Sequence, residues 1–194
     1  LASQAKIIEF EIGRPICDKD IIPNLIHIIL QGEARLIGKE ANNPITIAKL
    51  GKGSSIGIGS ILRQEACEQV NASSKVITIA FTDKSILNLY TKNSQFKNWC
   101  DSTLQPCEVY DLAKKIIKKS AKDNLTDKIV FNFLYQKCKL KLDQSIQSNE
   151  IVITGSSNIE NKKIGDHIEN VSNIKAKPPF RERLISIPKE IYNQ

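Results

Sequence analysis

Few residues in this chain have the type and spacing that chemistry needs. Gly51-Lys52-Gly53-Ser54-Ser55 is rich in the residues of a phosphate-binding loop. A P-loop requires G-x-x-x-x-G-K-[ST], so that successive backbone amides cradle the phosphates and the lysine reaches them, and this spacing is absent. The segment reads as a turn. Five cysteines, Cys17, Cys67, Cys100, Cys107 and Cys138, are odd in number and irregular in spacing, which predicts reduced thiols rather than a disulfide framework. With only His27 and His167 to join them, no Cys/His set has the spacing of a zinc site, and we expect no metal. A Cys-His nucleophile has no local motif to support it. Widely separated histidines likewise argue against a cupin-type metal enzyme. His27 lies in an apolar run and reads as a packed residue. Asp18 and Asp20 sit in a polar loop, and no carboxylate pair lies in the apolar setting that raises an acid's pKa. Trp99, Tyr110 and Tyr135 lack the interleaved cations of a base-stacking surface.

The composition bounds the alternatives. At 194 residues, 41% hydrophobic and 25% charged, the chain suits one domain with an appendage and excludes collagen, coiled coil and wholesale disorder. No apolar run reaches the roughly 18–20 residues that span a bilayer; residues 21–30 are interrupted by Pro23, Asn24 and His27. No direct membrane insertion is expected. The start Leu1-Ala2-Ser3-Gln4 lacks both Met and a secretory signal, so the sequence reads as a piece of a longer protein. Of the net charge of +7, only +1 falls in residues 1–110 and +6 falls from Asp111 onward. Because 23 of the 28 cations are lysine and isoleucine is over-used, the charge reflects composition more than phosphate reading, which favours arginine. No nucleic-acid partner is expected.

The elements that would position a site follow from periodicity. Between residues 6 and 81 β-branched bursts alternate with turn residues: Ile7-Ile8-Glu9-Phe10-Glu11-Ile12, then Ile26-His27-Ile28-Ile29-Leu30, Ala34-Arg35-Leu36-Ile37, Ile45-Thr46-Ile47-Ala48-Lys49-Leu50, and Ser74 to Phe81. Ala41-Asn42-Asn43-Pro44 reads as a turn. Six or more strands at about ten-residue intervals, without intervening helices, predict an antiparallel sandwich or jelly roll. After Thr82-Asp83 the period becomes helical. Pro106 suits a first helical position, and Val109, Leu112, Ala113, Ile116 and Ile117 mark one apolar face opposite Lys114, Lys115, Lys118 and Lys119. A further helix is expected from Leu125 to Tyr135, capped by Asn124 or Thr126. Beyond Gln144 the chain turns polar, with strand-like bursts at Ile151-Val152-Ile153 and Leu184-Ile185-Ser186-Ile187, and Pro178-Pro179 reads as a linker.

This order resembles the cyclic-nucleotide-binding-domain family across about residues 5–120. The likeness is carried by Phe10-Glu11-Ile12-Gly13, by Ile26-His27-Ile28-Ile29-Leu30-Gln31-Gly32-Glu33-Ala34-Arg35-Leu36-Ile37, and by Leu50-Gly51-Lys52-Gly53-Ser54-Ser55-Ile56-Gly57-Ile58-Gly59-Ser60-Ile61-Leu62. The resemblance implies a mainly β fold, an antiparallel jelly roll with C-terminal helices and a small β appendage. It also implies where a nucleotide would sit: a Glu directly after a glycine for the ribose hydroxyl, and about ten residues on an Arg for the cyclic phosphate. Here Ile58 stands at the Glu position and Glu68 at or near the Arg position, where a carboxylate repels phosphate. Amides around Gly57 and Gly59 would remain as an anion nest, with Ser60 beside them and Arg63 as a displaced cation. The expected pocket, Gly57, Ile58, Gly59, Ser60, Arg63 and Glu68, is therefore degenerate, and no cofactor is expected.

The resulting expectation is a non-catalytic regulatory or interaction domain. The tail, ending in Pro178-Pro179-Phe180-Arg181-Glu182-Arg183-Leu184, resembles that of the cytosolic N-terminal part of toxin- or peptide-secretion ABC transporters. That likeness implies partners among the other domains of its own longer chain or exporter subunits, at the inner face of the membrane. The alternative is the sensor domain of a helix-turn-helix transcription regulator, which the basic C-terminal part favours but the polar, strand-like 145–173 region does not. Expected domains are 1–120, a β-roll with flanking helices; 121–177, a helix and a polar β appendage; and 178–194, a linker to a following domain. A homodimer would form through the helix over residues 106–119.

Overall fold

The computed structural model describes residues 5–40, 43–120, 126–143 and 145–192, with the side chains of residues 116–120 and 191–192 outside the description. The opening Leu1-Ala2-Ser3-Gln4, Ala41 and Asn42, the cap Asn124, Leu125, Gln144, and the side chains of Ile116, Ile117, Lys118 and Lys119 thus lie outside the described residues. The chain divides into two compact units: Leu1–Ile61 with Glu65–Lys97, and Leu62–Gln64 with Asn98–Gln194. The division falls after Lys97, not at the expected 120/121 boundary.

The first unit holds eight strands: β1 (Lys6–Phe10), β2 (Pro15–Cys17), β3 (Leu25–Gln31), β4 (Ala34–Glu40), β5 (Asn43–Leu50), β6 (Ser55–Ile56), β7 (Val70–Ala72) and β8 (Val76–Thr82). They form two antiparallel sheets, β1-β8-β3-β6 and β2-β7-β4-β5. In a jelly roll successive strands pass back and forth between two sheets in this order, so the topology alone establishes the expected fold. Strand alternation supplies the core: Ile29, Leu36, Ile47, Ile56, Val70 and Val76 are buried. Gly32, between β3 and β4, is required; with φ +89° it sits where a Cβ would lie 2.1 Å from the Lys75 carbonyl oxygen. His27 is the packed residue its surroundings suggest, with Nδ1 3.0 Å from Thr78 Oγ1 and its ring edge-on to Phe10 at 5.4 Å. β8 runs into α2 (Asp83–Lys92), whose N-cap Thr82 accepts from the Ser85 N–H.

The second unit carries the helices α4 (Pro106–Ser120) and α5 (Asp127–Lys137) and a four-stranded antiparallel sheet. Its strands β9 (Lys139–Leu140), β10 (Glu150–Thr154), β11 (His167–Ile168) and β12 (Leu184–Pro188) lie in the order β11-β10-β12-β9. Thr126 caps α5, as one of the two expected candidates. The strand-like burst at Leu184-Ile185-Ser186-Ile187 is β12, an interior strand whose Leu184, Ile185 and Ile187 are buried. The described part of the apolar face of α4 is covered within the chain. Val109, Leu112 and Ala113 are buried, and Tyr110 meets Phe131 of α5 edge-on. A homodimer through residues 106–119 would have to uncover them.

Arg183 organises this unit. Its guanidinium donates from Nε to Glu108 Oε1 at 2.6 Å and from NH2 to Oε2 at 2.7 Å, and also reaches the carbonyls of Cys100 and Thr103. Glu108, third in α4, in turn accepts from the N–H of Gln105 at 2.8 Å, half of a capping box. Both charged groups are buried, a placement tolerated only because nearly every donor has an acceptor.

Candidate functional site

The expected pocket lies where β6 gives way to the short helix α1 (Ile58–Arg63). Gly57 makes that turn at φ +94°, and a Cβ there would stand 3.0 Å from Pro23 Cγ and 3.1 Å from the Leu25 carbonyl oxygen. Only glycine fits. After α1 the chain doubles back: Gln64 adopts φ +56°, the Glu65 N–H donates to the Ser60 carbonyl at 3.2 Å, and the Cys67 N–H donates to Ser60 Oγ at 3.1 Å. These bonds deliver Glu68 to the start of α1.

There the Glu68 carboxylate spans two backbone donors. Oε2 accepts from the Gly57 N–H at 2.6 Å and Oε1 from the Ser60 N–H at 3.1 Å, with Ser60 Oγ donating to Oε1 at 3.4 Å. Gly57, Ile58, Gly59, Ser60 and Glu68 are all buried, Glu68 to 3% exposure. The first amides of a helix lack intrahelical partners and carry partial positive charge, so a carboxylate on them is stabilised as a phosphate would be. The sequence expectation that Glu68 merely repels a phosphate is thus incomplete: Glu68 is itself the anion that the amides hold.

The remaining candidates are placed as follows. Ile58, 1% exposed, brings no polar atom to the site. Arg63, within the second unit, donates from NH2 to Asp111 Oδ2 at 2.8 Å. Burial alone would raise the Asp111 pKa, but Arg63, Lys114 and Lys115 outweigh it and hold the carboxyl well below the usual range. Arg63 is therefore engaged by a carboxylate of its own unit. Lys75, another cation of the first unit, pairs with Glu9 at 2.7 Å.

Sequence reasoning missed Ser60 Oγ as the peg for Cys67, the Asp111 partner of Arg63, and Ser157, whose N–H donates to the Arg63 carbonyl at 2.9 Å and whose Oγ donates to that of Gln64 at 2.6 Å. No local pattern marks such long-range partners. All five cysteines are free and buried, and burial pushes Cys17 and Cys138 up to about 12. Among the described residues no helix is long and apolar enough to cross a membrane.

No protein-family profile matches the chain, and no curated protein matches it. Solved structures do. The chain is similar to the regulatory subunit of a cAMP-independent protein kinase A from Trypanosoma cruzi bound to guanosine, at 22% identity and TM-score 0.47, over 62% of this chain and 41% of that one. It is similar to the catabolite activator protein of Thermus thermophilus, at 18% identity and TM-score 0.45, over 61% of this chain and 53% of that one. A putative cyclic nucleotide-binding protein from Geobacter metallireducens matches at 14% identity and TM-score 0.43, over 50% of this chain and 70% of that one. The chain spans about two fifths, 41%, of the length of the Trypanosoma subunit.

Proposed function

We propose that this chain is a non-catalytic regulatory or interaction domain of the cyclic-nucleotide-binding type whose phosphate cradle is permanently filled by its own Glu68. The observation that carries this reading is the buried carboxylate bound to the Gly57 and Ser60 amides. A nucleotide would have to displace it, and would find Ile58 where its ribose needs an acceptor. Losing two such contacts, each worth roughly 1.5–3 kcal/mol, weakens a micromolar ligand by about two to four powers of ten. Isothermal titration with cyclic AMP and cyclic GMP tests the reading. Affinity no tighter than about 0.1 mM is expected, and a Kd below about 10 μM overturns it.

In this reading the domain is the cytosolic N-terminal part of a toxin- or peptide-secretion ABC transporter and acts on other domains of its own chain or on exporter subunits. For the regulator alternative, α5 passes directly into β9 rather than into a second helix, and several cations of the basic half pair with carboxylates of their own unit, Arg183 with Glu108, Lys141 with Asp143, and Lys114 and Lys115 with Asp111. Site-specific photocrosslinking in cells distinguishes the two: crosslinks to exporter components support the proposal, and crosslinks to promoter DNA contradict it.

A further inference from the structure

The outer face of α5 is built to receive another polypeptide. α5 buries Phe131 and Leu134. On the opposite side Ile129 is 41% and Phe133 59% exposed, and with Asn132 and Gln136 they line a depression of about 330 Å³. This lies at the lower end of the roughly 300–1,000 Å³ typical of ligand pockets, enough for an anchoring side chain or two. At about 100° per residue, Ile129, Asn132, Phe133 and Gln136 share one stripe, while the exposed Lys128 and Lys137 fall on its two margins about 180° apart. The one carboxylate of the helix, Asp127, lies off that stripe, accepting from the Tyr110 hydroxyl at 3.4 Å. Val109, Leu112 and Ala113 of the α4 stripe are buried, whereas Ile129 and Phe133 of α5 are exposed.

We infer that this face docks an acidic amphipathic helix of a partner protein, which would insert an apolar side chain between Ile129 and Phe133 and set carboxylates against Lys128 and Lys137. Three features select this occupant. A lysine on each margin favours negative charge on what lies across it. The concavity suits a protruding side chain better than a flat lipid surface, in the manner of helix-in-groove recognition. A second copy of α5 would bring lysine-flanked faces together, and like charges oppose that pairing. The inference is independent of the Glu68 cradle.

Two synthetic 18-residue helices with the same leucine stripe, one flanked by glutamates and one by lysines, serve as probes against the full chain. Fluorescence anisotropy gives affinity, and amide shifts in a 1H-15N spectrum give the location. The acidic helix should bind at least about tenfold tighter than the basic one, with shifts centred on residues 128–137. F133S should weaken it about tenfold or more, and K128E/K137E should reverse the preference; both changes are at exposed positions, and thermal melts check that each variant is folded. The inference is overturned by absence of binding to both helices, by equal affinity for the two, by indifference to F133S, by shifts elsewhere, or by tighter association with phosphatidylserine vesicles than with the acidic helix.

Discussion

Removing the Glu68 carboxylate leaves two buried amides and a serine hydroxyl without their acceptor. A hydrogen bond to a charged group contributes about 1.5–3 kcal/mol, so the two amide bonds set an upper range of about 3–6 kcal/mol for Glu68→Ala. Water entering the vacated space recovers part of this, and about 3 kcal/mol is the expected net loss. For a unit near 100 residues, each kcal/mol moves Tm by about 4–8 °C, so the first unit should melt at least 10 °C lower. Glu68→Gln separates charge from shape: its amide oxygen accepts one bond, but its NH2 group faces a donor. It should lose slightly less. Hydrogen exchange provides the local assay, because protection of the Gly57 and Ser60 amides should collapse at both in Glu68→Ala and at one of them in Glu68→Gln, while that of the β8 amides falls only with global stability. Acetate or phosphate at tens of millimolar should restore part of the stability of Glu68→Ala and none to the wild type. A melting temperature within 1 °C of wild type, with Gly57 and Ser60 still protected, would refute the reasoning.

Gly57→Ala forces a side chain into a left-handed turn against Pro23 and the Leu25 carbonyl, and should cost at least 1–2 kcal/mol by urea denaturation, on the order of the left-handed penalty alone. Arg183→Met leaves Glu108 buried and uncompensated; about 3–5 kcal/mol should be lost from the second unit, with part regained in the double variant with Glu108→Gln, as chemical denaturation will read. Burial lowers the His27 pKa in the folded chain. The unfolded chain therefore binds more protons below about pH 6.5, and wild-type stability should fall as pH drops below that value, levelling off once the folded imidazole is protonated; the step should be absent in His27→Gln.

How much of this was legible in the sequence varies with the range of the interactions. The long strands β3, β5 and β8 announce themselves as β-branched bursts; their spacing implies an antiparallel sandwich or jelly roll, and the family resemblance selects the jelly roll. β2, β6 and β7 are two or three residues long, too short to show a period, and exist because neighbours in the sheets pair with them. β12 was legible as a strand-like burst but its interior place was not, since its pairing with β10 and β9 is decided by residues 30 or more positions away. The apolar stripe of α4 was legible as a stripe, but what covers it was not. Gly57 to Ser60 could be singled out only through the resemblance to the cyclic-nucleotide-binding-domain family. The part of Glu68 could not, because a carboxylate reads as hostile to phosphate until the fold shows it seated on the amides that a phosphate would use.

The central claim is that the cradle at the start of α1 is occupied by Glu68. The measurement that bears on it most directly is a titration of the wild-type chain with cyclic AMP, followed at the Gly57 and Ser60 amide resonances. With the carboxylate in place those two signals should show no saturation below about 0.1 mM nucleotide. If they shift and saturate below about 10 μM, a nucleotide phosphate displaces Glu68 readily, and the cradle is a working site rather than a filled one.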